Sequence, residues 1–150
     1  MKRWFFGCIV LIAVYHRFYQ GSWRPSDIRV EGIALGDDLA VIRTKYPELQ
    51  NEGDHWSHTC QHHGRFDTFE SWTLRDSNEK VVSVRGWHLD IGSHHFSPLE
   101  PQSLRRLQAL LGPAHSPQVS VFIWPQYHLK VFADGNHDSV TMATLDHGIR

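Results

Sequence analysis

The chain has 150 residues, of which 21% are charged, and its formal net charge is −1. This length suits one domain with a single core, and the charge excludes the strongly basic surface of a typical nucleic-acid-binding protein. The only cysteines are Cys8 and Cys60. Because Cys8 belongs to the N-terminal segment, we expect no disulfide within the domain.

Residues 1–20 differ in character from the rest of the chain. Lys2 and Arg3 precede an uninterrupted apolar run at residues 4–15, and no small-x-small cleavage pattern follows it. We predict a single-pass anchor through residues 4–19, in the inner or plasma membrane, with a cytoplasmic N-terminus and an extracytoplasmic domain. The alternatives are a cleaved signal, which would release a secreted or periplasmic protein, and a buried N-terminal helix.

Residues 21–27 contain Gly, Ser and Pro, which predict a short linker to a domain at residues 28–150. Within that domain one plan occurs twice: a turn, a short amphipathic helix that ends at a proline, and alternating strand-like segments. We predict an α+β fold of two similar units, at about residues 28–91 and 92–150. Each unit is a short helix plus antiparallel strands, with the helices packed on one face of the sheet.

Apolar residues at helical spacing predict the two helices at residues 38–46 and Ser103–Leu111. Each has an inward-facing stripe of three residues. The stripes are Leu39, Ile42 and Tyr46 in the first helix, and Leu104, Leu107 and Leu111 in the second.

The two units differ in length. Matching positions are 65 residues apart at the helices, from Leu39 to Leu104, but 58 apart at the last strands, from Val82 to Val140. The first unit therefore has seven more residues in this interval, which contains a histidine-rich stretch. Because an insertion on a shared scaffold is a natural place for function, we predict the functional region at residues 54–63.

This stretch offers candidate binding residues. The candidates for contact with a partner are His55, Trp56, His58, His62 and His63. The alternative is that they are solvated polar residues of an edge strand and its loop.

Three of the same residues are candidate metal ligands. His58, Cys60 and His62 lie on one face of an extended strand, and imidazole and thiolate are good Zn²⁺ ligands. However, same-face residues of a strand are about 6.5–7 Å apart, so all three reach one ion only across a bulge. A site of His58 and Cys60 with His88 or His94 is an alternative. We predict no metal and no other cofactor.

No catalytic residue is predicted. Cys60 has histidines nearby, but the surrounding sequence lacks a nucleophile elbow, an oxyanion-forming glycine pattern and a third member. The acidic loop at residues 134–138 lacks the glycine and the late glutamate of a calcium loop, and its Asp-Gly pair indicates a hairpin turn. We therefore expect a protein that is not an enzyme.

Several short motifs carry a resemblance. They are LLGP at residues 110–113, VFIWPQY at residues 121–127 and LKVFADGNHDSV at residues 129–140. In these the chain resembles small outer-membrane assembly lipoproteins of the SmpA/OmlA type and the tandem units of beta-lactamase inhibitor proteins. The resemblance implies an extracytoplasmic, non-enzymatic module that binds another protein across its sheet. The chain departs from the pattern at Lys45-Tyr46-Pro47 and in lacking a lipidated cysteine after a signal sequence.

Two functions follow as hypotheses. The first is a membrane-tethered module that binds a protein partner, through the exposed sheet face or the histidine-rich insertion. The alternative is a metal-binding or pH-sensing extracytoplasmic protein, because the chain has twelve histidines and their ordinary pKa is about 6.5. Residues 21–150 contain 12 basic and 16 acidic residues, a net charge of −4, so we expect no nucleic-acid partner.

Overall fold

The structure is a computed structural model that describes residues 23–61, 68–134 and 138–149, the side chains of residues 60, 61 and 68–71 excepted. In these ranges the chain forms eleven β-strands and two short α-helices. The helices are α1 (Leu39–Lys45) and α2 (Ser103–Leu111). The strands are β1 (Ile28–Val30), β2 (Gln50–Asn51), β3 (Trp56–Gln61), β4 (Thr68–Ser77), β5 (Lys80–Gly86), β6 (Leu89–Ile91), β7 (His94–Phe96), β8 (His115–Gln118), β9 (Val121–Trp124), β10 (Leu129–Asp134) and β11 (Ser139–Asp146).

Eight of these strands form one antiparallel sheet in the order β2-β3-β4-β5-β11-β10-β9-β8. The centre of this sheet is the pairing of β5 with β11, where Val84 is opposite Leu145. Strands β1, β6 and β7 form a separate three-stranded sheet. Short turns connect the neighbouring strands: Asn78 and Glu79, both with positive φ, link β4 to β5, as expected for a two-residue hairpin loop.

One face of the large sheet is buried. Because side chains alternate between the two faces of a strand, every second residue of the central strands enters the core. Those residues include Leu74, Val84, Ala143, Leu145, Val131, Leu129 and Trp124. The apolar stripes of both helices belong to the same core cluster, so the intervening residues of the central strands form an outer face on the other side of the sheet.

Each helix is fixed at its N-terminal end. Asp38 caps α1, since its carboxylate accepts a hydrogen bond from the Ala40 N–H at 2.9 Å. In α2, the fully buried Ser103 accepts a hydrogen bond from the Val140 N–H at 2.7 Å. Ser103 therefore joins α2 to the first residues of β11.

The predicted fold class is wrong. Antiparallel sheet dominates the described residues, and the helices do not form repeated helix-plus-sheet units. The physical reason is the β5–β11 pairing, which joins strands from both predicted units into one continuous sheet. The helices have only seven and nine residues, so strands supply most of the core.

The predicted transmembrane helix and signal anchor are not supported. Within the described ranges, no helix is both long enough and apolar enough to cross a bilayer. The segment for which the anchor was predicted, residues 1–20, lies outside those ranges.

Candidate functional site

The structure places the described part of the histidine-rich stretch, residues 54–61, at one side of the large sheet. Residues 52–55 form the turn between β2 and β3, and β3 carries Trp56 and His58. The backbone of Cys60 lies in β3, but its side chain is not described. His62 and His63 lie outside the described residues.

His58 lies in the interior of the protein. Only 11% of its side chain is exposed, and its ring stacks on Trp72 and meets Tyr46 edge-on, with ring centroids 5.7 Å apart. Its Nε2 lies 2.6 Å from a carboxylate oxygen of Glu48. The pKa of Glu48 is lowered by a hydrogen bond from its own backbone N–H and by the one to His58.

Trp56 is also held by protein contacts. Its indole N–H donates to Asp76 at 3.0 Å, and the guanidinium carbon of Arg43 lies 5.1 Å from the centre of its ring. The side chain is half-buried against the core. Trp56 is thus fixed between a strand and α1.

His55 points to a different part of the surface. Its Nδ1 lies 2.6 Å from the carboxylate of Asp54, and this hydrogen bond lowers the pKa of Asp54. Both residues line a depression on the outer face of the sheet. The predicted candidates are therefore divided, with His58 in the core and His55 on the outer face.

A metal centre is not apparent in the part of the chain that can be described, because no group of three or more His, Cys, Asp or Glu side chains there could hold an ion. His88 and His94, the proposed distant ligands, have other neighbours. Nδ1 of His88 lies 3.2 Å from Glu31, and His94 packs edge-on against Trp23. His62 and the side chain of Cys60, the other candidate ligands, lie outside the described parts of the chain, so the expectation of no metal stays a prediction.

The outer face presents a row of residues fixed by strand register. Thr73 is opposite Arg85, Arg85 opposite Thr144, and Thr144 opposite Lys130, which in turn faces Ile123. The row crosses β4, β5, β11, β10 and β9 in that order. Because neighbouring strands are about 4.8 Å apart, the row is about 19 Å long between its terminal Cα atoms.

A depression of about 410 Å³ follows this row. Arg75 and Asp146 form an ion pair in it, with nitrogen and oxygen 2.7 Å apart. Burial alone raises the pKa of Asp146, but hydrogen bonds from the Gly148 N–H, from Ser83 and from Arg75 outweigh it, so the pKa is lowered. Asp146 is therefore ionised, and Arg75 neutralises its charge.

Two other cations of the depression have apolar neighbours. Arg85 Nε lies 2.9 Å from the sulfur of Met142, and Lys130 Nζ lies 5.3 Å from the centre of the Phe132 ring. Within the described ranges neither side chain has a carboxylate oxygen within 4.0 Å. The face thus combines free positive charge with half-buried aromatic and aliphatic groups.

The sequence predicts an exposed sheet face as one of two binding surfaces, but it does not identify the residues of that face. A signal was present, because Lys130 and Phe132 alternate with the buried Leu129 and Val131, as in a strand with one solvated face. The sequence did not show that β5 lies beside β11, and this pairing alone brings Arg85 near Lys130.

Neither a protein-family model nor a curated protein nor a solved structure matches this chain. The resemblance to outer-membrane assembly lipoproteins and to beta-lactamase inhibitor proteins therefore stays a prediction.

Proposed function

We propose that this protein is a non-enzymatic module that binds a partner protein across the outer face of its eight-stranded sheet. The observation that carries the proposal is the composition of that face beside the depression, where arginine, lysine and hydroxyl groups lie next to Phe132 and Met142. Aromatic residues, methionine and arginine are enriched at protein interfaces. The helices occupy the opposite side of the sheet, so this face is accessible.

Register supports one extended surface. Phe132 is opposite Val121, and Lys130 is opposite Ile123, and all four side chains are half-buried. Lys130 and Phe132 also line the depression, so apolar carbon and charged groups lie side by side on this face. Such a mixture gives a partner both apolar contact and charge complementarity.

Site-specific photocrosslinking tests this proposal. A photoreactive phenylalanine analogue is placed at Ile123 or Phe132 on the outer face and, as controls, at Val41 or Arg105 on exposed helix positions. In cells that produce the full chain, we expect the two outer-face positions to give an adduct of the same mass, and the two helix positions not to give it. The partner is then identified by mass spectrometry, purified and tested for direct binding. Adducts from the helix positions alone, or none from the outer face, contradict the proposal.

A further inference from the structure

We infer that the outer face binds an acidic, extended protein segment, whose carboxylates lie between Arg85 and Lys130 and across Thr144. This inference rests on the proposed function and adds the chemistry of the partner. It derives from three features of the described residues: the register of the three positions, the lack of a partner charge for the two cations, and the apolar groups beside them.

Register fixes the distance between the two cations. Thr144 of β11 is opposite Arg85 on one side and opposite Lys130 on the other. The Cα atoms of the two cationic residues are therefore about 10 Å apart, two strand spacings. Both side chains are long and flexible, so their charged groups can close onto carboxylates placed between them. Thr144 also lines the depression, and its hydroxyl is a hydrogen-bond donor.

Charge complementarity identifies the occupant. The domain carries an excess of acids, −4 over residues 21–150, and several of its other cations are paired. The pairs with an aspartate are Arg29–Asp37, Arg75–Asp146, Lys80–Asp38 and Arg105–Asp138. Arg85 and Lys130 line the same depression as the Arg75–Asp146 pair. Neither of them has an ion-pair partner in the described part of the chain. A carboxylate from another molecule would supply the missing charge.

An extended acidic segment fits this spacing. Alternate residues of an extended chain are about 7 Å apart and point the same way, so two acidic side chains separated by one residue can reach Arg85 and Lys130. The side chains of Phe132 and Met142, beside the cations, offer contact to the apolar parts of the segment.

A nucleic acid fits the same face less well. Its backbone needs a long positive track, whereas this face has two cations that are unpaired within the described ranges, together with the carboxylates of Asp54 and Asp146. Both aspartates are ionised at neutral pH, since the ordinary pKa of an aspartate is about 3.9 and theirs are lower still. They would repel a continuous chain of phosphates, while a short acidic segment can avoid them.

The test uses the full chain and three probes. They are a synthetic nine-residue peptide with glutamate at alternate positions, the same peptide with glutamine there, and a single-stranded oligothymidine. The test variant is the double substitution Arg85→Gln with Lys130→Gln. The control variant is Arg43→Gln with Arg105→Gln, which removes the same charge from exposed helix positions.

Because exposed ion pairs are individually weak, we expect the glutamate peptide to bind about tenfold more tightly than the glutamine peptide at low salt.

We expect this difference to disappear in the test variant and to persist in the control variant. The inference is overturned by equal binding of both peptides, by a difference that the test variant retains, by no binding of the glutamate peptide at about 1 mM, or by tighter binding of oligothymidine. These results are separable from those of the crosslinking experiment. Suppose that the partner crosslinked at the outer face binds the test variant as tightly as the wild type. That result supports the proposed function but refutes an acidic segment as the occupant.

Discussion

The imidazole of His58 lies flat against the indole of Trp72, with ring centroids 4.9 Å apart and an interplanar angle of 6°. Tyr46, at the end of α1, packs edge-on against both rings. Glu48 accepts a hydrogen bond from the same imidazole. These contacts join α1 to strands β3 and β4, so the histidine belongs to the framework of the protein.

We expect His58→Ala to destabilise the protein strongly. The substitution removes the stack on Trp72, leaves a cavity beside Tyr46 and deprives Glu48 of its partner, so the free energy of unfolding should fall by about 2–4 kcal/mol. Urea unfolding followed by tryptophan fluorescence measures this change. His115→Ala is the control, because His115 is exposed on β8, and it should cost less than about 0.5 kcal/mol. Equal effects of the two substitutions would contradict the structural role of His58.

Ser103 is predicted to stabilise the protein through one buried hydrogen bond. In Ser103→Ala the Val140 N–H loses its acceptor in a site with no exposure, which should cost about 1–3 kcal/mol. Ser116→Ala is the matched control, since the Ser116 hydroxyl is exposed and donates to Gln118 within the edge strand. Thermal unfolding of both variants tests the difference, and an unchanged melting temperature for Ser103→Ala would refute it.

Asp146 should make stability depend on pH in acid. Its pKa is lower in the folded state than the ordinary value of about 3.9, because donors including Gly148, Ser83 and Arg75 stabilise the carboxylate. The folded protein therefore binds fewer protons than the unfolded chain. This contribution to stability is full above about pH 4 and is lost as the pH falls through the folded value.

The comparison with Asp146→Asn isolates this effect. The difference in the free energy of unfolding between wild type and variant should shrink as the pH falls from about 6 to about 2. Arg75→Gln removes one donor to Asp146, so its own pH dependence should be weaker than that of the wild type. Urea unfolding at a series of pH values gives these curves, and a difference that stays constant with pH would show that Asp146 is not responsible.

We expect a side chain at position 86 to clash with the side chain of Glu31. A Cβ at this position would lie 2.5 Å from Cγ of Glu31, whose carboxylate accepts hydrogen bonds from the N–H groups of Trp87 and His88. Gly86→Ala should therefore cost about 1–3 kcal/mol through displacement of that side chain.

A double-mutant cycle tests the cause. Glu31→Ala removes both the obstacle and its hydrogen bonds, so the double variant with Gly86→Ala should lose less stability than the sum of the two single variants. Urea unfolding of all four proteins measures the coupling. Strict additivity would mean that the cost of Gly86→Ala arises elsewhere.

Local features of this protein were predictable from local sequence. The apolar spacing around Leu104 predicts α2, and the structure has that helix at Ser103–Leu111. Asp38, a residue type favoured at helix N-caps, caps α1. In both cases the interactions join residues that are close in the chain, so composition and spacing are sufficient to indicate them.

The candidate site was less predictable. The residue type of His58 suits a ligand or a contact surface, but its burial depends on Trp72, which is fourteen residues away, and on the end of α1. The row from Arg85 to Lys130 depends on pairing between β5 and β11. Residues about sixty positions apart meet there, and no local pattern specifies such a partner.

The two helices, the alternating strands and the excess of acidic over basic residues in the domain follow from the amino-acid sequence alone. The folded structure adds that strands from both halves join in one eight-stranded sheet, that His58 is buried, and that Thr144 is flanked by two cations with no carboxylate partner among the described residues. This difference arises because strand register is set by non-local hydrogen bonds and by the burial of one whole face, whereas helix periodicity and turn chemistry act over a few residues.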